Sequence, residues 1–174
     1  MGLVPASLPR ARLDLHCHSS ASFDGEVPPE RLMQLALEAG LTHLAITDHD
    51  TIEAALRARD EAPSGLTVIV GQEARTTEGD MIALFVERPI PSGLTPAQTS
   101  ALIREQGGLV GLPHPFDVRR PSVGLGTVHH NELAHLAGLV DYVEVYNGRA
   151  RDPQANARAA EFALAYGLAR AAVS

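Results

Sequence analysis

Only one cysteine, Cys17, occurs among the 174 residues, so an internal disulfide is excluded and a reducing compartment, the cytoplasm, is the expected setting. No run of 18 apolar residues is present, and without one a helical membrane span is not expected. Residues 1–12 contain Pro5, Pro9, Arg10 and Arg12 but no apolar segment of the kind a secretory signal needs. Basic charge is in deficit: the formal net charge is -7, which disfavours the electrostatic footprint of duplex nucleic acid binding. An anionic small molecule stays open, because bound divalent cations reverse the sign of a carboxylate-rich cleft. Three catalytic signatures are missing as well. There is no Gly-x-Ser-x-Gly elbow for a serine nucleophile, no Gly-x-x-x-x-Gly-Lys phosphate loop and no dinucleotide fingerprint. Repeats, low-complexity tracts and linkers are also lacking, so the chain reads as a single domain spanning 1–174, with residues 1–12 as an N-terminal extension.

What is present centres on Leu13 to Gly25. In Asp14-Leu-His-Cys-His18 the histidines share one parity and Leu13, Leu15 and Cys17 the other. Successive side chains of a strand point to opposite faces, so His16 and His18 can reach one divalent cation while Cys17 serves as a small core residue. Asp24, beside Gly25 in a serine-rich turn, offers a hard oxygen that can fold back over the same ion.

Beyond this stretch the spacing predicts alternating helices and strands. A helix opens at Pro28-Pro29 and closes at Gly40, and a strand covers 41–47. Asp50 and Glu53 have capping-box spacing for a helix to about Ala62. The strand at 66–70 runs into Gly71-Gln-Glu73 and pairs as a hairpin with 81–86. Thr95-Pro96 starts a helix that ends at Gly107-Gly108. A strand at 109–112 leads into Pro113-His114-Pro115, residues 116–128 form a long loop, and 131–137 a short helix. The strand at 142–146 ends at Asn147-Gly148. Asp152 caps a last helix begun by Pro153 and closed by Gly167, before a strand at 168–173.

This alternation implies a parallel sheet or barrel. Polar residues with metal-binding chemistry fall at the carboxyl ends of successive strands: His16 and His18, then His49, Glu73, His114 and Asn147. In barrels of parallel strands that end gathers the catalytic groups.

Asp14-Leu-His-Cys-His18, Thr47-Asp-His49, Gly71-Gln-Glu73 and Pro113-His-Pro115 together resemble, in order, the motifs of the polymerase and histidinol phosphatase (PHP) superfamily. The resemblance implies an α/β fold, a distorted TIM-like barrel of seven βα units, holding two or three divalent ions such as zinc, manganese or iron. It implies hydrolysis of a phosphate ester, a small phosphomonoester or a nucleotide. Carried onto this chain, His16 and His18 hold one ion, Glu73 bridges it to a second that His114 helps bind, and Asp24 and His49 serve a third. His114 and Asp24 are then the catalytic candidates, with His114, or a histidine from the missing tail, as a donor to the leaving oxygen. A bridging carboxylate suits cations only about 3.5–4 Å apart. Asp14 is a candidate acceptor for an imidazole N–H, fixing its tautomer.

Two departures accompany the resemblance. Where relatives commonly place a histidine after the bridging glutamate, this chain has Asp80. The family's last motif, Asp-x-His, does not follow Ala171-Ala-Val-Ser174, so the last portion of the barrel is expected to be missing and the sequence to be a fragment. The remaining histidines, His43, His129, His130 and His135, read as structural or solvent-exposed. Arg119, Arg120, Arg149 and Arg151, on loops at the active end, are candidate phosphate clamps, and Asn147 either orients a ligand or takes a left-handed conformation before Gly148. Two other readings stand beside the phosphoesterase. One is a metal-binding PHP module without turnover. The other is a metal-dependent amidohydrolase, although no lysine occurs from Asp48 to Ser174 to form a carboxylated bridge.

Overall fold

The computed structural model describes residues 10–123, 130–152 and 154–173. The strands are β1 (Leu13–Asp14), β2 (His43–Ile46), β3 (Thr67–Thr76), β4 (Gly79–Leu84), β5 (Leu109–Leu112), β6 (Tyr142–Asn147) and β7 (Ala169–Val173). Between them lie helices α1 (Pro29–Glu38), α2 (Glu53–Asp60), α3 (Pro96–Glu105), α4 (His130–Leu139) and α5 (Ala155–Ala165). The seven strands form one sheet in sequence order. β1–β2, β2–β3, β5–β6 and β6–β7 pair in parallel, whereas β4 runs antiparallel to both neighbours. The hairpin expectation therefore holds. Its second consequence is an antiparallel β4–β5 joint that interrupts the parallel order.

The sheet is curled into a distorted TIM-like barrel. In a flat sheet β1 and β6 would lie roughly 24 Å apart, at about 4.8 Å per strand. Instead His16, just past β1, places Nδ1 2.6 Å from Glu144 Oε1 on β6. Alternation then sorts the side chains. Ala45, Ile69, Ile82, Leu84, Tyr142, Ala171 and Val173 form one apolar cluster with Leu15, while the opposite faces pack with the helices. On α1 the buried positions are Pro29, Leu32, Met33 and Ala36, the spacing of a one-sided helix.

Local chemistry accounts for the helix starts, with two corrections. At α3 the Thr95 hydroxyl accepts the Gln98 N–H, and Gln98 returns the bond as a capping box. At α2 Asp50 and Glu53 make no such box. The helix starts after Ile52 without a side-chain cap, because Asp50 sits at φ 56 with its carboxylate committed to the Arg75 guanidinium. A charged partner outweighs a neutral cap. α5 begins after Gln154, later than expected: the Asp152 carboxylate accepts the Gln154 N–H one residue before the helix, and Pro153 lies outside the described residues. β1 is shorter than the alternation suggests, but the Cys17 carbonyl accepts the Thr47 N–H at 2.8 Å, keeping the His16–His18 segment alongside β2. No helix among the described residues is long and apolar enough to cross a membrane.

One glycine is dictated by the barrel interior. A Cβ on Gly111 of β5 would stand 2.2 Å from Cζ of Tyr142, whose ring is buried on the neighbouring strand. Gly111→Ala is expected to destabilise the protein by about 1–3 kcal/mol through overpacking. In a Tyr142→Leu background the same substitution should cost much less, as read from urea unfolding. An equal penalty in both backgrounds would show that the ring is not the obstacle.

Candidate metal centre

Glu73 of β3 is the hub. Its carboxylate is buried and faced by four imidazoles: His18 Nε2 at 2.9 Å, His114 Nε2 at 3.0 Å, His16 Nε2 at 3.1 Å and His49 Nε2 at 3.4 Å. These come from the segments following β1, β2 and β5, so the barrel's carboxyl end brings together what the sequence separates.

Two of the rings are held from behind by carboxylates. His16 Nδ1 meets Glu144 at 2.6 Å and His18 Nδ1 meets Asp24 at 2.7 Å. Each of these imidazoles therefore has a carboxylate on both nitrogens, and their Nε2 atoms are only 3.0 Å apart. A neutral imidazole has one N–H and one lone pair. With the proton drawn to the outer carboxylate, the inner lone pair faces Glu73, an arrangement that calls for a second proton or a cation between them. Burial disfavours a charged His16, but the adjacent Glu144 and Glu73 overcome it and raise its pKa well above the ordinary value. His18 is raised by the same opposition, with Glu73 prevailing over burial. Glu73 is driven the other way: burial favours its neutral acid, yet His16, His114 and His18 hold it well below the usual carboxylate range. His49 has no carboxylate behind it, and burial lowers its pKa; its Nδ1 is buried without a partner.

Asp80 completes the other side. Because β4 is antiparallel, its amino end lies beside the carboxyl ends of its neighbours, which delivers Asp80 to Glu73 and His114. The Asp80 side chain is buried and its Oδ1 has no hydrogen-bond partner. Burial, then the charges of Glu73 and Asp50, push its pKa up to about 7. Three overlapping groups bring donor atoms within 4.8 Å of one another: His16, His18 and Glu73; His18, Asp24 and His49; Glu73, Asp80 and His114. Orphaned buried donors beside nitrogen and oxygen lone pairs are the donor chemistry that first-row divalent cations take.

The supporting contacts are specific. Asp48, fully buried, accepts the Ser19 N–H and hydroxyl at 2.6 Å each, anchoring the turn that carries Asp24. That turn closes so tightly that a Cβ on Gly25 would lie 1.9 Å from the Ser19 carbonyl oxygen. His114 sits at φ 29, a conformation that L-residues rarely adopt. Its backbone N–H donates to Glu144 and its carbonyl accepts the Ser122 hydroxyl. Glu144 also accepts the Asn147 side-chain amide.

Placement of the expected residues is uneven. His16, His18, Asp24, His49, Glu73 and His114 converge. Arg120, Asn147 and Arg149 line a hollow of about 380 Å³ with His16, His18 and Asp24. Arg119 is exposed and lines neither of the two hollows at the site. Asn147 ends β6 in an extended conformation, so the left-handed alternative is corrected. Asp14 accepts the backbone N–H of His16 rather than a ring N–H; the ring partner is Glu144, which the sequence analysis missed. The signal for Glu144 was its place two residues along the inward parity from Tyr142. Cys17 packs at the core edge, and burial pushes its thiol up to about 12. His135 is exposed as expected. His129 lies outside the described residues.

If Glu144 fixes the His16 ring, Glu144→Gln should weaken metal binding roughly 10–100-fold, the range for lost partners behind a ligand. Glu73→Gln should lose more metal than Asp24→Asn, since Glu73 faces all four imidazoles. Calorimetric titration with zinc and manganese measures both; equal losses at 73 and 24 would reduce Glu73 to an ordinary acid.

The comparisons agree with this geometry. The PHP domain family matches residues 14–106. An uncharacterized protein of Methanocaldococcus jannaschii is 34% identical over 152 residues, 81% of this chain and 84% of that protein. A 5'-3' exoribonuclease of Haemophilus influenzae is 32% identical over 122 residues, covering 61% of this chain but 43% of its own length. Among solved structures, a two-domain protein of Bacteroides vulgatus containing a predicted PHP-like metal-dependent phosphoesterase superposes with a TM-score of 0.72 at 24% identity. It covers 91% of this chain, which spans about half (49%) of that one. With a family match over more than half its length, and with the family's motif residues gathered at one end of the barrel, the chain belongs to the PHP domain family.

Proposed function

We propose that this protein is a metal-dependent phosphoesterase that hydrolyses a small phosphomonoester or a nucleotide with two or three divalent ions, zinc, manganese or iron. The observation that carries the reading is the buried Glu73 carboxylate ringed by four imidazole nitrogens within 3.4 Å. His16, His18 and Glu73 would hold one ion, Glu73, His114 and Asp80 a second, and His18, Asp24 and His49 a third. Such ions supply a nucleophilic hydroxide near neutral pH and neutralise phosphoryl charge.

The chain's own residues would do the rest. Arg120 and Arg149 stand over both hollows of the site, where guanidinium groups suit phosphate oxygens. Asp117, fully buried, lies 3.7 Å from the Arg120 Nε and accepts the Arg119 N–H, so the loop presenting Arg120 is anchored. Asn147 is oriented by Glu144, leaving its side-chain oxygen to accept the Arg149 N–H and set the direction of that loop. His114, its backbone fixed by Glu144 and Ser122, directs Nε2 at Glu73 and would serve as a ligand of the second ion. The exoribonuclease activity named for the Haemophilus relative and the phosphoesterase named for the Bacteroides structure support a phosphate ester as the substrate class.

The test is elemental analysis of purified protein followed by phosphate release from an aryl phosphate under metal saturation. Bound metal and chelator-sensitive, metal-restored turnover are expected, with Glu73→Gln reduced at least 100-fold. Less than about a tenth of an equivalent of metal, with no uptake on adding zinc or manganese, would remove the basis of the site. Stoichiometric metal without phosphate release from aryl phosphates or nucleotides would leave a binding module instead.

A further inference from the structure

At the rim of the site an aromatic ring lies almost entirely in solvent. Phe23 is 81% exposed. A single exposed apolar side chain is ordinary on a protein surface, but this one is not randomly placed. Its ring stacks on His49, with centroids 4.7 Å apart and planes inclined by 18°. One face is thus occupied by an imidazole of the metal centre, and exposure of that extent requires the other face to be open. Phe23 lines a hollow of about 330 Å³ together with His49, Asp80, Arg75, Arg120 and Arg149. Among the described residues lining it, Phe23 is the only phenylalanine, tyrosine or tryptophan.

The turn that carries the ring is also held in place. Ser22 N–H donates to the Ser19 carbonyl, Gly25 N–H to the Ser22 carbonyl, and Ser20 N–H to the Val27 carbonyl. The Ser22 hydroxyl donates to Asp24 and accepts the His49 N–H. Phe23 therefore stands on a turn cross-linked to both sides of the metal centre, with little ordering left to do when a partner arrives. Around it are guanidiniums of two kinds. Arg75 is tied to Asp50, while Arg149, exposed, has no ion-pair partner among the described residues.

We propose that Phe23 is a stacking platform for a nucleobase, and that the substrate is a nucleotide or the end of a single nucleic acid strand rather than a sugar phosphate. This rests on the phosphoesterase reading of the adjoining centre. A flat ring with one free face, beside cations that suit phosphate, matches a planar base carried on a phosphorylated ribose. Bases stack on aromatic side chains whatever their identity, and loss of one such platform costs about 1–3 kcal/mol, or roughly 5–150-fold. Stacking extends the existing pair into three layers: base, Phe23 and His49.

The chain has no tryptophan, so Phe23→Trp places a single reporter at the platform. In zinc-saturated protein its fluorescence should be quenched saturably by adenosine 5′-monophosphate and not by ribose 5-phosphate, with N-acetyltryptophanamide as the collisional control. In parallel, the ratio of kcat/KM for adenosine 5′-monophosphate over ribose 5-phosphate should fall at least fivefold in Phe23→Ala and be retained in Phe23→Tyr. Saturable quenching without phosphate release from either compound, and without mononucleotide release from a 5′-phosphorylated oligonucleotide, would keep the platform and overturn the phosphoesterase reading. Phosphate release with an unchanged ratio in Phe23→Ala and no saturable quenching would overturn the platform and keep the phosphoesterase. Quenching by both compounds alike would assign the site to phosphate alone and equally overturn it.

Discussion

Burying the Glu73 carboxylate is the constraint on which the rest of this structure depends. A carboxylate removed from water needs opposite charge and hydrogen-bond donors around it, and four imidazoles from three segments supply them. Those imidazoles need support in turn, because a ring that leans on one anion has its other nitrogen to satisfy. Glu144 takes His16 and Asp24 takes His18. The result is a layered alternation of carboxylate, imidazole and carboxylate across the mouth of the barrel. Each layer fixes the protonation of the next. Nitrogen and oxygen donors gathered in this way are the kind that first-row divalent cations take.

The same contacts organise the fold. His16 and Glu144 join segments five strands apart in the sheet order, so the bond that sets an imidazole's tautomer also marks the curling of the sheet into a barrel. β4 shows the converse, topology deciding chemistry. Running antiparallel, it presents its first residues where parallel neighbours present their last, and that alone brings Asp80 beside Glu73. Proximity to that charge and loss of water then raise the Asp80 acid to about 7. The Pro121–Ser122 segment is drawn in as well: Asp80 N–H donates to the Pro121 carbonyl, and Ser122 secures His114.

Around this anionic core the rim is cationic and aromatic, against a net charge of -7 for the whole chain. Arg75, Arg120 and Arg149 line one hollow at that end of the barrel, Arg75 paired with Asp50 and Arg120 with Asp117, so that among the described residues Arg149 supplies the uncompensated positive field. The Phe23 ring adds a flat apolar surface within that field. Charge and shape are thus segregated by depth: imidazoles and carboxylates at the base, guanidiniums and the Phe23 ring above.

Much of this was legible in the sequence because it rests on local rules. The parity of His16 and His18, the Thr95 capping box, the hairpin after Glu73 and the polar strand ends follow from periodicities of the chain and from the habit of parallel barrels to gather function at one end. What tertiary structure alone decided are the matters settled by partners distant in sequence. Glu144 reads locally as one polar residue in an apolar strand; only barrel closure makes it the anion behind His16. Asp50 has the spacing of a helix cap, yet Arg75, twenty-five residues away, offered a charge and claimed it. Asp14 was the nearer candidate for the His16 ring, but its carboxylate meets the His16 backbone instead. Sequence fixes which donors exist and which face of a strand they take. Which anion meets which cation depends on how strands curl and cross, because electrostatic pairing follows distance in space and burial, neither of which is a property of a local stretch of chain.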